Sequence, residues 1–360
     1  MKRLLCTLIP LSLLPLAPAQ ESIMVSHAEP LRFAFAVELL GFQLDAVELG
    51  GELGGELDDE EDAADAAEAD VEAAEPDDED EDEVRVRPVD LFAGSLAERD
   101  PALHHELVAS LEEIEQASER EDQAATAAAV ERVRPLLRRA EEVLLPEDLR
   151  DDPAFRAAVL ARLALSGSGF AEGYEEAAGG EVGAYIFGWA GLQRAKALWA
   201  ELEPAATNRD SVAEVDRAFA VLDDLMPSPE PPERFRDPED AEVAAHDLVF
   251  ALEAAFGGQL QPRNLGAVLA LVDDQSRAAC VAFEEERELL ALELVTSAQV
   301  NYVEGIGGTI SLLVPEPAGV IRELLGESLP EQMRAGERAE VSSGCARLQE
   351  AIAEASSAFR

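Results

Sequence analysis

The chain has 360 residues and a formal net charge of −48, with 76 acidic side chains against 28 basic ones. A field of that sign repels nucleic acid and anionic lipid, which are bound through Lys and Arg, and attracts cations without choosing among them. The length allows one large or two modest domains, and beyond the amino-terminal run no segment holds the roughly 18 uncharged apolar residues of a spanning helix.

The first residues read MKRLLCTLIPLSLLPLAPAQES. Lys2 and Arg3 form a positive start, Leu4 to Leu16 a short apolar core, and Ala17-Pro18-Ala19 a small-residue cleavage site before Gln20. These are the three parts of a secretory signal peptide. The expectation is that residues 1–19 are removed and that the mature protein is periplasmic or extracellular, with no membrane span. HAEPLRFAFAVELLGFQLDAVELG follows, apolar at helical spacing, and predicts an N-terminal helix within 20–49. From 50 to 88 the chain is glycine and dense like charge, with acidic residues at 17 of the 26 positions from Asp58 to Glu83. Such a segment cannot bury enough apolar surface to offset its ordering entropy, so a disordered acidic linker is expected. It lacks the central glycine and ligand spacing of an EF-hand.

A helical domain is predicted over 89–360, divisible into halves 89–206 and 207–360. Asp100-Pro101 is an N-cap with proline at the first helical position, and Leu103, Leu107, Leu111 and Ile114 follow at steps of four, four and three. A second helix carries Val130, Val133, Leu137, Ala140 and Leu144, with a kink expected at Pro135. Asp152-Pro153 caps a third, bearing Phe155, Val159 and Leu163. Val212, Val215, Phe219 and Leu222 mark a helix over 208–226, and PSPEPPERFRDPED is a proline-rich connector. Asp237-Pro238 caps the next helix, with Val243, Val249, Phe250 and Phe256 as its apolar positions. Long helices are expected over 275–303 and 329–359, with GIGGTISLLVPEPAG as a Gly/Pro-punctuated turn region between them. β-branched alternation is nearly absent, so the class is all-α, an antiparallel helical array or bundle.

Cys280 and Cys345 remain after signal removal. Export permits a disulfide, but a chain of this size can build its core without staples, so two free buried thiols are expected. The histidines are His27, His104, His105 and His246. None belongs to a Cys/His cluster or an HExxH pattern. Gly-x-Ser-x-Gly, P-loop and dinucleotide glycine motifs are likewise missing, so the chain is read as a non-enzyme.

Two of the three tyrosines and both tryptophans fall between Gly169 and Trp199. On a helix from Glu181, the residues Val182, Tyr185, Trp189, Leu192 and Trp199 share a stripe, which is core spacing. Gly183, Gly188 and Gly191 would let a neighbouring backbone come close, and Lys196 is placed to lay its stem across Trp199. Just before this helix, Glu172 and Glu175 lie three apart on one turn, flanked by the Tyr174 hydroxyl and by Glu176. Hard oxygen donors of that kind suit calcium, manganese or ferric iron. Glu242 and His246 are four apart, with Glu253 seven further on, so a helix aligns them as a carboxylate–histidine metal pair would be aligned. In so acidic a chain the alternative for all of these is a surface or capping role.

DPALHHELVASLEEIEQASEREDQAATAAAVERVRPLLRRAEEVL is similar to the helical extracytoplasmic region of some bacterial high-affinity iron permeases, and GFAEGYEEA before an aromatic helix shares that character. The resemblance covers about Asp100 to Leu202. The permeases also carry Arg-Glu-x-x-Glu within a membrane helix, whereas Arg287-Glu288 here continues as Leu-Leu-Ala. Imelysin-like iron-uptake partners are exported and helical too, but their His-x-x-Glu motif is absent from this chain. The resemblance implies a periplasmic accessory of iron or other cation uptake, with an envelope or permease protein as partner. The rival expectation is a cell-envelope structural or interaction protein with no small ligand.

Overall fold

The structure, a computed structural model, describes residues 22–51, 87–262 and 264–359. The expected signal peptide and nearly all of the expected linker lie outside the described residues. Among the described residues there are helices and helical turns and no strand, so the chain is all-α.

In chain order, α1 (Ile23–Ser26) leads into α2 (Ala28–Glu48). A 3-10 turn over Pro88–Leu91 precedes α3 (Ala93–Arg99), α4 (Pro101–Glu119) and α5 (Gln123–Leu144). The short α6 (Glu147–Arg150) is followed by α7 (Pro153–Leu165), α8 (Phe170–Gly179) and α9 (Ala184–Leu202). Next are α10 (Arg209–Leu225), α11 (Glu239–Phe256), α12 (Leu265–Glu284) and α13 (Glu288–Tyr302). The chain closes with α14 (Gly308–Leu313), α15 (Pro315–Glu323), α16 (Leu329–Arg334) and α17 (Arg338–Ser357). Successive helices pack as hairpins: α4 on α5, α8 on α9, α10 on α11 and α12 on α13.

The starts of these helices follow from their caps. Asp100 Oδ1 accepts from Leu103 N–H at 3.0 Å and Asp152 Oδ1 from Ala154 N–H at 2.9 Å, each ahead of a proline that needs no partner. The expected apolar stripes of α4, α5, α7 and α10 are all buried. Helix α5 runs unbroken through Pro135, which sits on its exposed side. Helix α2 differs from these because every residue from Leu31 to Phe42 is buried. It is the central rod of the array, enclosed by α5, α7 and α9, which is why its sequence is apolar all round.

Two apolar clusters result, one from Met24 to Leu260 and one from Val268 to Ala355. The change from one cluster to the other falls between Leu260 and Val268. Helix α13 sits at the junction and is buried on two sides. Ala291, Val295, Ala298 and Tyr302 face the second cluster. Glu293, Ser297 and Asn301, at steps of four, meet polar groups of α2, α3 and α7. Arg32 pairs with Glu293 at 2.6 Å and donates to Ser297 Oγ at 2.7 Å, and Ser95 gives Glu293 both its N–H and its Oγ–H at 2.6 Å.

Four expectations are corrected, one of them the single helix over 329–359, which breaks at Gly336 (φ 70°) into α16 and α17. Cys280 and Cys345 form a disulfide, since α12 and α17 pack side by side and bring their Cα atoms to 6.3 Å. The helix expected over 275–303 is two helices, because Glu286 takes a left-handed φ of 64° and the Arg287 N–H turns back to Ala282 O at 2.9 Å. This is a helix-ending motif usually filled by glycine. The Gly/Pro-punctuated stretch is helical rather than a turn region. A π turn over Val303–Gly307 runs into α14, and Pro315 opens α15 at its first position. Among the described residues no helix is long and apolar enough to cross a membrane.

Candidate functional site

The local fold around the acidic turn is set by glycine. A Cβ on Gly173 would lie 2.8 Å from Gly188 N and 2.9 Å from Ala184 O, so α8 and α9 touch backbone to backbone. Gly191 likewise admits Phe170, whereas Gly183 has open space around it. This contact fixes the roll of α8. Phe170, Gly173, Tyr174 and Ala177 face inward, and the glutamates divide between its two flanks.

Tyr174 is 1 % exposed, and its hydroxyl accepts from Arg236 N–H at 2.9 Å. Phe235, one residue earlier, packs edge-on against Tyr174 and Tyr185 with ring centroids at 5.6 and 5.9 Å. The proline-rich connector is thereby pinned to α8 and α9, and α11 starts from that anchor. Tyr174 was expected beside the carboxylates as an oxygen donor. It is instead an interior group that aligns α11 with α8, and its hydroxyl is engaged there.

Glu172 and Glu175 line one wall of a pocket of about 620 Å³. Across from them α11 contributes Glu242, His246, Val249 and Glu253, at steps of four, three and four on one helical face. Glu172 and Glu175 of one candidate set and Glu242 and His246 of the other, on helices more than sixty residues apart in the chain, therefore meet at a single pocket. His246 Nε2 lies 3.5 Å from Glu242 Oε1, with both side chains exposed at the rim. Glu253 is turned to structural use, its Oε1 accepting from Leu260 N–H at 3.0 Å. The Glu175 carboxyl is pushed above the ordinary carboxylate value by partial burial, and Glu242 and Glu239 add to the rise. Glu176 lies on the other flank of α8, lining a second pocket with Glu181, Glu112, Glu115, His104 and the apolar Phe42, Ile186 and Phe187. Burial, then the neighbouring His105, pushes the His104 imidazole down.

Among the residues of the α8–α11 pocket that escaped the sequence reading are Arg162, Ser166 and Glu304. Arg162 is 5 % exposed; its Nη2 donates to Asn301 Oδ1 at 3.2 Å and reaches Glu304 Oε2 at 3.4 Å. Its guanidinium lies 4.6 Å from the Phe35 ring centroid. An arginine inside the otherwise apolar run AAVLARLAL was the available signal. Glu304 had none, because it reaches the pocket from the π turn after α13.

The aromatic stripe is core as expected at Tyr185, Leu192 and Trp199. Trp189 is half-buried, and Val182 precedes α9 and is exposed. Lys196 reaches Asp223 at 2.7 Å, and Trp199 Nε1 donates to Asp216 Oδ1 at 3.0 Å, so both tie α9 to α10. On α11 the buried face is formed by Ala241, Ala244, Ala245, Leu248, Val249 and Leu252, while Val243 and Phe250, expected among its apolar positions, are 59 % and 60 % exposed. Comparison with family models, with curated proteins and with solved structures found no match for this chain.

Proposed function

We propose that this chain is an exported helical binding or accessory protein whose ligand is a cation, taken into the pocket between α8 and α11. The observation that carries this reading is the convergence of Glu172, Glu175, Glu242, His246 and Glu304 on one cavity. Partial burial, with Glu242 and Glu239 adding to it, disfavours the charged Glu175 carboxylate, and an entering positive charge offsets that cost. Iron or another metal ion taken up with the help of an envelope permease is the version that the sequence resemblance suggests. Binding rather than catalysis is proposed because the pocket pairs no nucleophile with a base.

The test is a set of thermal melts of the full chain with calcium, ferric iron and organic amines. A ligand that prefers the folded state raises the melting temperature. We expect a rise with at least one cation, and its loss in the triple variant Glu172→Gln, Glu175→Gln, Glu242→Gln. A flat response to every cation removes the reading. It would then favour the second one, an envelope interaction protein with no small ligand, which is supported by Leu312 and Leu313 standing 87 % and 56 % exposed at the end of α14. Export has a separate test: mass spectrometry of protein from the native envelope should find a chain that begins at Gln20.

A further inference from the structure

The α8–α11 pocket is not uniformly acidic. On its α7 side stand two buried donors one helical turn apart, Arg162 and Ser166, 5 % and 3 % exposed. Arg162 Nε and Ser166 Oγ have no hydrogen-bond partner within the protein. Buried polar atoms without partners are scarce because each carries an uncompensated desolvation penalty. Two of them in one wall ask for an acceptor. The facing walls carry the carboxylates of Glu172, Glu175 and Glu242, groups that attract positive charge. Between the two lie Met24, Ala164, Leu165, Ala171, Val249 and Phe250, an apolar bed for a carbon chain.

Among the described residues no three His, Cys, Asp or Glu are grouped to share one ion. Negative charge spread around a pocket of about 620 Å³ matches a ligand whose positive charge is itself spread along a chain. Glu304 adds a second feature. It is delivered by a π turn, a form found frequently at functional sites. Burial pushes its carboxyl above the ordinary value, against the pull of Arg162 and the Gly167 N–H.

We infer that the pocket takes an amine-bearing zwitterion, a basic amino acid or short basic peptide, its carboxylate against Arg162 and Ser166 and its ammonium groups among Glu172, Glu175 and Glu242. This rests on the cation-binding reading and narrows it to one ligand class. The test is calorimetric titration of the full chain with L-lysine and with trilysine, each set against a counterpart lacking the carboxylate, cadaverine and trilysine amide. We expect the carboxylate-bearing member of at least one pair to bind ten-fold more tightly or better. Ser166→Ala should shrink that ratio, and Arg162→Lys should shrink it further if the variant folds. Glu172→Gln with Glu175→Gln should weaken both members of a pair alike. Which pair responds distinguishes the free amino acid from the peptide. Equal binding within both pairs, or a response to calcium or ferric iron alone, overturns this inference and leaves the cation reading standing. No binding by any of these probes overturns both.

Discussion

Two interfaces of this molecule are built on opposite principles. Where α8 meets α9 the surfaces approach by removing side chains, with Gly173 against Gly188. Where α13 meets α2, α3 and α7 they approach through buried charge, with Arg32, Glu293 and Ser95 in one network and Arg162, Asn301 and Glu304 in another. A glycine contact sets distance and roll but has no chemistry of its own. A charged seam is specific in register and holds groups that a ligand can engage. The candidate pocket lies where the two meet, its acidic wall oriented by the glycine contact and its donor wall supplied by the seam.

The largest expected effect lies in the seam. Glu293→Ala leaves the Arg32 guanidinium buried without its counter-charge, and breaking a buried pair on one side costs about 3–5 kcal/mol. Replacing both members with apolar residues, Arg32→Met with Glu293→Leu, should recover most of that loss, because the penalty comes from the uncompensated charge. Urea melts of the single and double variants measure it. Equal losses in both would mean that the seam is held by shape rather than by charge.

The glycine contact should respond less. Gly173→Ala places a methyl group 2.8–2.9 Å from the Gly188 backbone, and overpacking of this kind costs roughly 1–3 kcal/mol. Gly183→Ala, with open space around it, should be neutral or slightly stabilising. If the two alanines behave alike, the close approach of α8 and α9 is not what fixes the roll of α8. Smaller again is Tyr174→Phe, which removes the hydrogen bond from Arg236 N–H but keeps the ring against Phe235, at about 1 kcal/mol. Faster hydrogen exchange at Arg236 should accompany it.

The glycine side of this comparison was legible only in part, since Gly183 was read as a close approach but has open space around it, and Gly173 carried no signal of its own. The charged side was not legible. Gly188 and Gly191 could be read as places for close approach, and the stripes of α4, α5, α7 and α10 follow from period alone. The enclosure of α2 could be anticipated only in part, since an apolar helix shows that it is buried and not by what. Glu172, Glu175, Glu242 and His246 were named from spacing within single helices. That they share one pocket depends on the Phe235 anchor, a tertiary contact that no local pattern encodes. The ends of α4 and α12 were obscured because Glu121 and Glu286 take left-handed conformations where glycine would have announced them.

The smallest expected effect concerns protons at the pocket itself. Partial burial, then Glu242 and Glu239, holds the Glu175 carboxyl above its ordinary value of 4.5 in the folded chain. The folded state therefore binds this proton more tightly than the unfolded state, and stability rises as pH falls from neutral through the raised value. Below the ordinary value both states are protonated and no more is gained. Glu98 works in the opposite sense, because its hydrogen bond from Arg287 holds it low, and the stability it contributes is lost on acidification. The measurement is therefore a difference: the gain in melting temperature from neutral to about pH 5 should be larger in wild type than in Glu175→Gln. Solvent screens a half-exposed carboxylate, so the difference is small. A cation in the pocket favours the charged carboxylate, so a saturating ligand should shrink or reverse the wild-type gain on acidification. A wild-type gain left unchanged by saturating ligand would place Glu175 outside the binding site.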